Sequence, residues 1–153
     1  MSVHDRLKDL GITLPVPMPP VATYIPVSIA GNLVTVSGQL PAMDGKVAVI
    51  GKLGQTVSLE EGQHAARLCL INVLAQINAL VPGGLDAITK IVRLGGFISC
   101  TSDFTQHAVV MNGASDLAVA VFGEAGRHAR STIGVPSLPL DAAVEVEATF
   151  WLG

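Results

Sequence analysis

The chain has 153 residues, the length of one ordinary domain and enough for a hydrophobic core without disulfides or a structural metal. Half of the residues are hydrophobic and only 14% are charged, against about 25% in an average soluble protein, so we expect part of the surface to meet another subunit. The net charge of −3, the scattered basic residues and the 4% aromatic content argue against a nucleic-acid-binding surface.

The sequence also bears on cellular location. Its apolar runs are shorter than the roughly 18 residues that a membrane-spanning helix needs. The first eleven residues, "MSVHDRLKDLG", carry charges where a signal peptide would be apolar, and Cys69 and Cys100 are therefore expected to be reduced. We predict a cytoplasmic protein that does not enter a membrane.

The N-terminal part predicts a short helix, an arm and three strands. Residues 3–10 place apolar side chains at helical spacing, and the proline-rich stretch 14–20 cannot form regular structure. Two β-rich runs flank Gly31–Asn32, a pair suited to a tight turn, and a third strand is expected after Asp44–Gly45.

The middle of the chain predicts a long helix followed by a strand. Ser58 and Glu61 form a capping pair before an apolar stripe, so a helix is expected over residues 59–81. The β-rich run 87–100 follows as a fourth strand, and its Gly95–Gly96 pair marks either a bulge or a close approach of the backbone.

The last third of the chain predicts a second helix and two more strands. Asp103 with Gln106 resembles another capping pair, and the helix should end at Gly123. The resulting order is β-β-β-α-β-α-β-β, a single α+β domain spanning residues 1–153, with 1–20 as an N-terminal extension and arm. Two helices can cover only one face of such a sheet, so we expect copies of the chain to cover the other face.

Three charged side chains stand out in the final, otherwise apolar strands: Arg130, Glu145 and Glu147. If the chain forms a hairpin that turns near residues 138–139, Arg130 stands opposite one of the glutamates, which share one strand face. Spacing alone favours a cross-strand ion pair on a wet face, and a ligand site is the alternative.

Common motifs for phosphate loops, zinc sites and hydrolase nucleophiles do not occur in the sequence, so we expect neither a metal nor an organic cofactor. Cys69 lies on the apolar stripe of the first long helix and is expected to be a packing residue. Cys100 ends a strand, and its sequence neighbourhood shows no base. The histidines show no ligand spacing, and we expect surface or helix-capping roles for them: His4, His64, His107 and His128.

Three stretches resemble the RidA family, also called YjgF/YER057c/UK114. They are "SGQLP", "MNGASDLAVAVFG" and "ARSTIGVPSLPLDAAVEVEA", and they follow in the family's order within a match from about Tyr24 to Phe150. The resemblance implies a chorismate-mutase-like α+β fold, with two helices on one face of a mixed sheet. It also implies a homotrimeric barrel with sites at the subunit interfaces.

The same resemblance implies roles for individual residues. Arg130 matches the arginine that binds the substrate carboxylate, and Glu145 matches the glutamate that positions the hydrolytic water. The implied substrate-binding residues are Tyr24, Ser37, Gly38, Asn112 and Thr132. Because Thr132 stands where many members have cysteine, a covalent cysteine role at that position is excluded. The segment Met43 to Gln55 is longer than in compact members.

The implied activity is hydrolysis of short-lived enamines and imines, such as 2-aminoacrylate, to 2-keto acids and ammonia. Arginine suits the carboxylate because its planar fork donates two charge-assisted hydrogen bonds. A non-catalytic trimer that binds small carboxylates is the alternative. An endoribonuclease or translation-inhibitor activity, often attached to the family, is disfavoured by the acidic balance of the chain.

Overall fold

The fold is built on a five-stranded mixed sheet and two long helices. The computed structural model describes residues 1–17 and 22–153, so the last part of the proline-rich arm lies outside the described residues. The strands are β1 (Val27–Ala30), β2 (Leu33–Gln39), β3 (Ala42–Met43), β4 (Lys46–Val47), β5 (Ile88–Ser99), β6 (Ala129–Val135) and β7 (Val144–Leu152). The main sheet has the order β1-β2-β7-β5-β6, antiparallel except between β5 and β6.

The helices are α1 (Val3–Asp9), α2 (Leu59–Leu80) and α3 (His107–Phe122). The start of α2 confirms the predicted cap, because the Ser58 hydroxyl accepts a hydrogen bond from the Glu61 backbone N–H. The predicted cap at Asp103 is wrong. Its carboxylate accepts from the Thr101 hydroxyl at 2.6 Å, and α3 starts four residues later, at His107, without a side-chain cap.

The hydrophobic core lies between the sheet and the helices. Along β7, burial alternates with the pleat: Val144 and Val146 are fully buried on the helix side, whereas Glu145 and Glu147 lie partly exposed on the other face. The stretch His107–Gly126 is long and apolar enough to cross a membrane by length and composition alone. It packs instead as a core helix against α2, as in a small soluble domain.

The early hairpins follow the predicted turns only in part. The Gly31–Asn32 turn joins β1 to β2. The third strand predicted after Asp44–Gly45 is reduced to β4, which pairs with β3 in a separate two-stranded hairpin. Both Asp44 and Gly45 have positive φ, as a tight two-residue turn between β3 and β4 requires.

The predicted pairing of the last two strands is wrong. Strand β5 lies between β6 and β7, so Leu94 has Arg130 as its partner on one side and Ala148 on the other. The physical reason is that β5, α3 and β6 form a βαβ unit, whose crossover helix places β6 parallel to β5. Of the two readings of Gly95–Gly96, close approach is correct, since an added β-carbon on Gly95 would lie 2.8 Å from the Glu147 side chain.

Candidate functional site

Arg130 is held against α3 by neutral acceptors. It lies on the edge strand β6, with its side chain on the helix side of the sheet. Its Nη1 donates to Asn112 Oδ1 at 2.9 Å and to Ser115 Oγ at 3.1 Å, and its Nη2 donates to the Ala108 carbonyl at 3.5 Å. Asn112 and Ser115 are three residues apart, so one face of α3 fixes one edge of the guanidinium.

This anchoring leaves the other edge of the guanidinium available. Arginine has five N–H donors, of which the three contacts use both hydrogens of Nη1 and one of Nη2. Within residues 1–17 and 22–153, no carboxylate forms an ion pair with Arg130. A positive, partly buried guanidinium thus offers Nε–H and one Nη2–H to an anion.

A hydrogen-bonded chain continues behind Arg130. His128 Nδ1 lies 2.6 Å from the Gly126 carbonyl, so Nδ1 carries the proton that it donates there. Its Nε2 lies 2.8 Å from Ser115 Oγ and, in the neutral ring, accepts the hydroxyl proton. The Ser115 oxygen then accepts the hydrogen bond from Arg130. Neither Ser115 nor His128 was predicted to belong to the site, and His128 is partly buried in this network instead of lying on the surface.

Thr132 lies two residues beyond Arg130 on the same side of β6. Its hydroxyl is buried and has no hydrogen-bond partner in the part of the chain that the structure describes. A buried hydroxyl without a partner costs about 1–3 kcal/mol. Next to Arg130 there is thus a polar atom with unused hydrogen-bonding capacity.

Glu145 belongs to a second group of residues, around a bulge in β2. Val36 pairs with Ala148 and Gln39 pairs with Val146, so β2 advances by three residues where β7 advances by only two. The bulge brings Gly38 against Glu145, so a β-carbon on Gly38 would lie 2.8 Å from the Glu145 carboxyl carbon.

The bulge also fixes the segment that carries Tyr24. The Ser37 hydroxyl donates to the Ile25 carbonyl at 2.8 Å, and the Ser37 N–H donates to the Pro26 carbonyl at 2.8 Å. Tyr24 is half exposed and borders the same cavity as Gly38. Three of the predicted residues, Tyr24, Ser37 and Gly38, are thus brought together beside Glu145.

The electrostatic environment distinguishes the two glutamates. Burial raises the pKa of Glu145 above its ordinary value of 4.5, and the nearby Glu147 carboxylate adds to the rise. Glu147 itself faces Arg93, with 3.8 Å between Oε2 and Nη1. The predicted ion pair between Arg130 and a glutamate is therefore wrong: Glu147 pairs with Arg93 on the open face, and Glu145 has no basic partner among the described residues.

Within one chain, the two groups lie on opposite faces of the sheet. Arg130 aligns with the core residues Leu94 and Ala148, and its guanidinium contacts α3. Glu145 aligns with Phe97 and Ile133 on the open face. Asn112 and Thr132 share the face of Arg130, whereas Tyr24, Ser37 and Gly38 accompany Glu145. The predicted site residues therefore form two half-sites, which we call the arginine half-site and the glutamate half-site.

Comparison with known proteins identifies the family. Residues 4–149 match the model of the family described as "YjgF/chorismate_mutase-like, putative endoribonuclease". The chain belongs to the YjgF family. It is 44% identical to Protein TCP17 from Trypanosoma cruzi over 147 residues, which is 95% of this chain and 91% of that protein.

Solved structures of other proteins share the fold. The crystal structure of Atu1372 from Agrobacterium tumefaciens superposes with a TM-score of 0.92 at 45% identity and covers 99% of this chain and 92% of that one. The structure of E. coli TdcF with bound serine superposes with a TM-score of 0.65 at 25% identity and covers 90% of this chain and 94% of that one.

In this YjgF-family chain, a cysteine–histidine pair lies outside the two half-sites. Cys100 Sγ lies 3.5 Å from His107 Nε2, so the structure supplies a base that the sequence did not reveal. Burial raises the pKa of the Cys100 thiol, which disfavours the thiolate. Burial likewise raises the pKa of Cys69, which is a packing residue of α2 as predicted. Across the described ranges, no group of three or more His, Cys, Asp or Glu residues could hold a metal ion.

Proposed function

We propose that the protein is a RidA-like enamine/imine deaminase that converts 2-aminoacrylate-type intermediates into 2-keto acids and ammonia. The observation that carries the proposal is the guanidinium of Arg130, held by Asn112 and Ser115 with two donors left for an anion. Those donors suit a carboxylate, which accepts two parallel charge-assisted hydrogen bonds. TdcF, a family member whose structure contains bound serine, also accommodates a small molecule with a carboxylate.

In the proposed reaction, Arg130 binds the substrate carboxylate and Glu145 acts on a water molecule. The water oxygen adds to the imine carbon while Glu145 accepts a water proton and passes it to the imine nitrogen, which gives a carbinolamine. Glu145 then transfers the proton of the new hydroxyl group to the amine as the C–N bond breaks, and a keto acid and ammonia remain. The raised pKa of Glu145 makes its carboxylate a better base than an exposed glutamate. This route uses no metal or organic cofactor.

The proposal requires two copies of the chain at each site. Arg130 and Glu145 lie on opposite faces of one sheet, so the arginine half-site of one subunit has to face the glutamate half-site of a neighbour. The open face carries apolar side chains suited to subunit contact, such as Ile133 at 54% and Trp151 at 46% exposure. We propose the homotrimer that the family resemblance implies, in the cytoplasm.

The experiment is the release of keto acid from 2-aminoacrylate generated in situ by a dehydratase. Wild type should accelerate release, and Arg130→Ala should abolish the acceleration while keeping the oligomer and its thermal stability. Arg127→Ala is the matched control, because Arg127 is exposed and its one ion pair among the described residues is with Glu124, three residues away. Activity that survives in Arg130→Ala would overturn the proposed role.

A second outcome would support the binding-only function instead. If wild type binds pyruvate or 2-ketobutyrate through Arg130 but never accelerates release, the protein is a carboxylate-binding module. Cleavage of RNA that Arg130→Ala and Glu145→Gln leave unchanged would favour the nuclease that the family description names.

A further inference from the structure

A cavity of about 440 Å³ lies next to the glutamate half-site. Gly38 and Tyr24 form one side of it. Because the Glu145 carboxyl group packs against Gly38, the cavity begins beside the group that is proposed to position water. Its opposite wall comes from residues 40–50, which include the β3–β4 hairpin.

The walls of this cavity are mainly hydrocarbon. The apolar residues that line it are Pro26, Leu40, Ala42, Val47, Ile50 and Leu140. Lys46 is the one charged residue along the described wall, and it is exposed.

Most of the amide N–H groups that line the cavity already donate to other atoms of the protein, including Gln76 Nε2, which donates to Gln39 Oε1 at 3.4 Å. Asn72 Nδ2 donates to the carbonyls of Ala42 at 2.9 Å and Leu68 at 2.9 Å, and Gln39 Nε2 donates to the Ser37 carbonyl at 3.0 Å. A polar ligand group that entered here would lose its water without gaining these donors. The cavity therefore favours an apolar occupant.

The volume of the cavity is larger than the volume of a small imine. At the ~30 Å³ that a water molecule occupies in the liquid, the six non-hydrogen atoms of 2-iminopropanoate fill about 180 Å³ at most. Its carboxylate would in addition bind Arg130, outside the cavity. Volumes of roughly 300–1,000 Å³ are typical of sites for larger ligands.

We propose that the cavity receives the side chain of the substrate and that the preferred substrates are 2-imino acids with branched aliphatic or aromatic side chains. This inference rests on the proposed deaminase function. The imine carbon lies beside Glu145, and the side chain extends past Gly38 into the cavity under the β3–β4 hairpin. Ala42 and Ile50 then determine how large that side chain can be.

The test compares imines that an L-amino-acid oxidase generates from leucine, phenylalanine and alanine. We expect wild type to accelerate keto-acid release from the leucine- and phenylalanine-derived imines with a kcat/KM at least tenfold above that for the alanine-derived imine. Ala42→Phe should lower the two larger values at least tenfold and leave the alanine value within twofold. The matched control is Ala48→Phe, since Ala48 is exposed and lines a different depression, with His64.

Ile50→Trp provides a second variant in case Ala42→Phe does not fold. Ile50 is 58% exposed, so a larger side chain can narrow the cavity without entering the core. The inference is overturned if wild type prefers the alanine-derived imine, or if the folded variants reduce all three substrates equally. A change of oligomeric state in place of a change of preference would also overturn it, because the cavity would then hold a neighbouring subunit.

A binding measurement separates this inference from the proposed function. Calorimetric titration with 4-methyl-2-oxopentanoate and with pyruvate needs no catalysis. If wild type binds the larger keto acid more tightly and Ile50→Trp loses this preference, the cavity binds the side chain of the ligand, even if wild type hydrolyses no imine. If an active deaminase bound both keto acids with equal affinity, the cavity would not be the site of the substrate side chain, and the proposed function would stand.

Discussion

The Glu145 carboxyl group packs directly on the backbone of Gly38. A β-carbon on Gly38 would lie 2.8 Å from the carboxyl carbon and 3.1 Å from Cγ, closer than side chains tolerate. The β2 bulge creates this contact, because it adds a residue opposite β7 at this point. Glycine at position 38 therefore sets where the Glu145 carboxylate lies.

Gly38→Ala should impair activity much more than stability. The Glu145 side chain can swing aside at little energetic cost, but a displacement of about 1 Å at a catalytic group can reduce turnover by about 100-fold. We expect kcat to fall 10- to 100-fold in the keto-acid assay, with a melting temperature within about 4 °C of wild type. The shorter side chain in Gly38→Ala/Glu145→Asp should recover part of the loss. Full activity in Gly38→Ala would show that this contact does not position Glu145.

Asn112→Ala should weaken substrate binding. The change removes one of the two acceptors that hold Arg130 Nη1, and a hydrogen bond to a charged group contributes about 1.5–3 kcal/mol. We expect KM to rise about tenfold or more, with the fold intact, since alanine is favourable in a helix. Asp116→Ala, at an exposed position on the same helix, should leave KM unchanged. If both variants change KM equally, Asn112 has no specific role in orienting Arg130.

Thr132→Val should stabilise the protein. Valine keeps the shape of threonine and removes the buried hydroxyl that has no partner among the described residues. The expected gain is about 1 kcal/mol, or roughly 2–4 °C in melting temperature. A lower melting temperature would mean that the hydroxyl has a partner in the assembled oligomer.

Glu145→Gln should stabilise the protein at neutral pH but not at acidic pH. Because burial and Glu147 raise the pKa of Glu145 in the folded state, folding favours its protonated form. The stability that this form contributes is complete below the ordinary pKa of 4.5 and is lost as the pH rises through the raised value. Denaturant unfolding should therefore find the variant more stable than wild type at pH 7 and equal to it near pH 4. Glu124→Gln, at an exposed position, is the control. A constant difference at all pH values would exclude titration of Glu145 as its source.

Local patterns in the sequence predicted local structure well. The alternation along β7 identified which face Glu145 occupies, and Ser58 with Glu61 located the start of α2. The order of the strands could not be read in this way. Strands β6 and β7 would show the same alternation of buried and exposed residues whether they paired with each other as a hairpin or each paired with β5. The structure shows the second arrangement, with β5 between them.

The residues of the site were likewise only partly predictable from the sequence, because some of them meet only in the folded chain. The family resemblance named Arg130 and Asn112, which the structure joins by a hydrogen bond. Ser115 and His128 were missed, because their connection to Arg130 depends on how α3 lies over β6. The spacing of Ser115 three residues after Asn112 was the only available signal.

The most direct test of the central claim is complementation between two inactive variants. The claim is that each site combines Arg130 of one subunit with Glu145 of its neighbour. Arg130→Ala and Glu145→Gln should each be inactive alone. When they are co-expressed and form mixed rings, about a quarter of the interfaces should pair an intact Arg130 with an intact Glu145, and about a quarter of the wild-type keto-acid release should return. Mixed oligomers that stay as inactive as either parent would contradict a site shared between subunits.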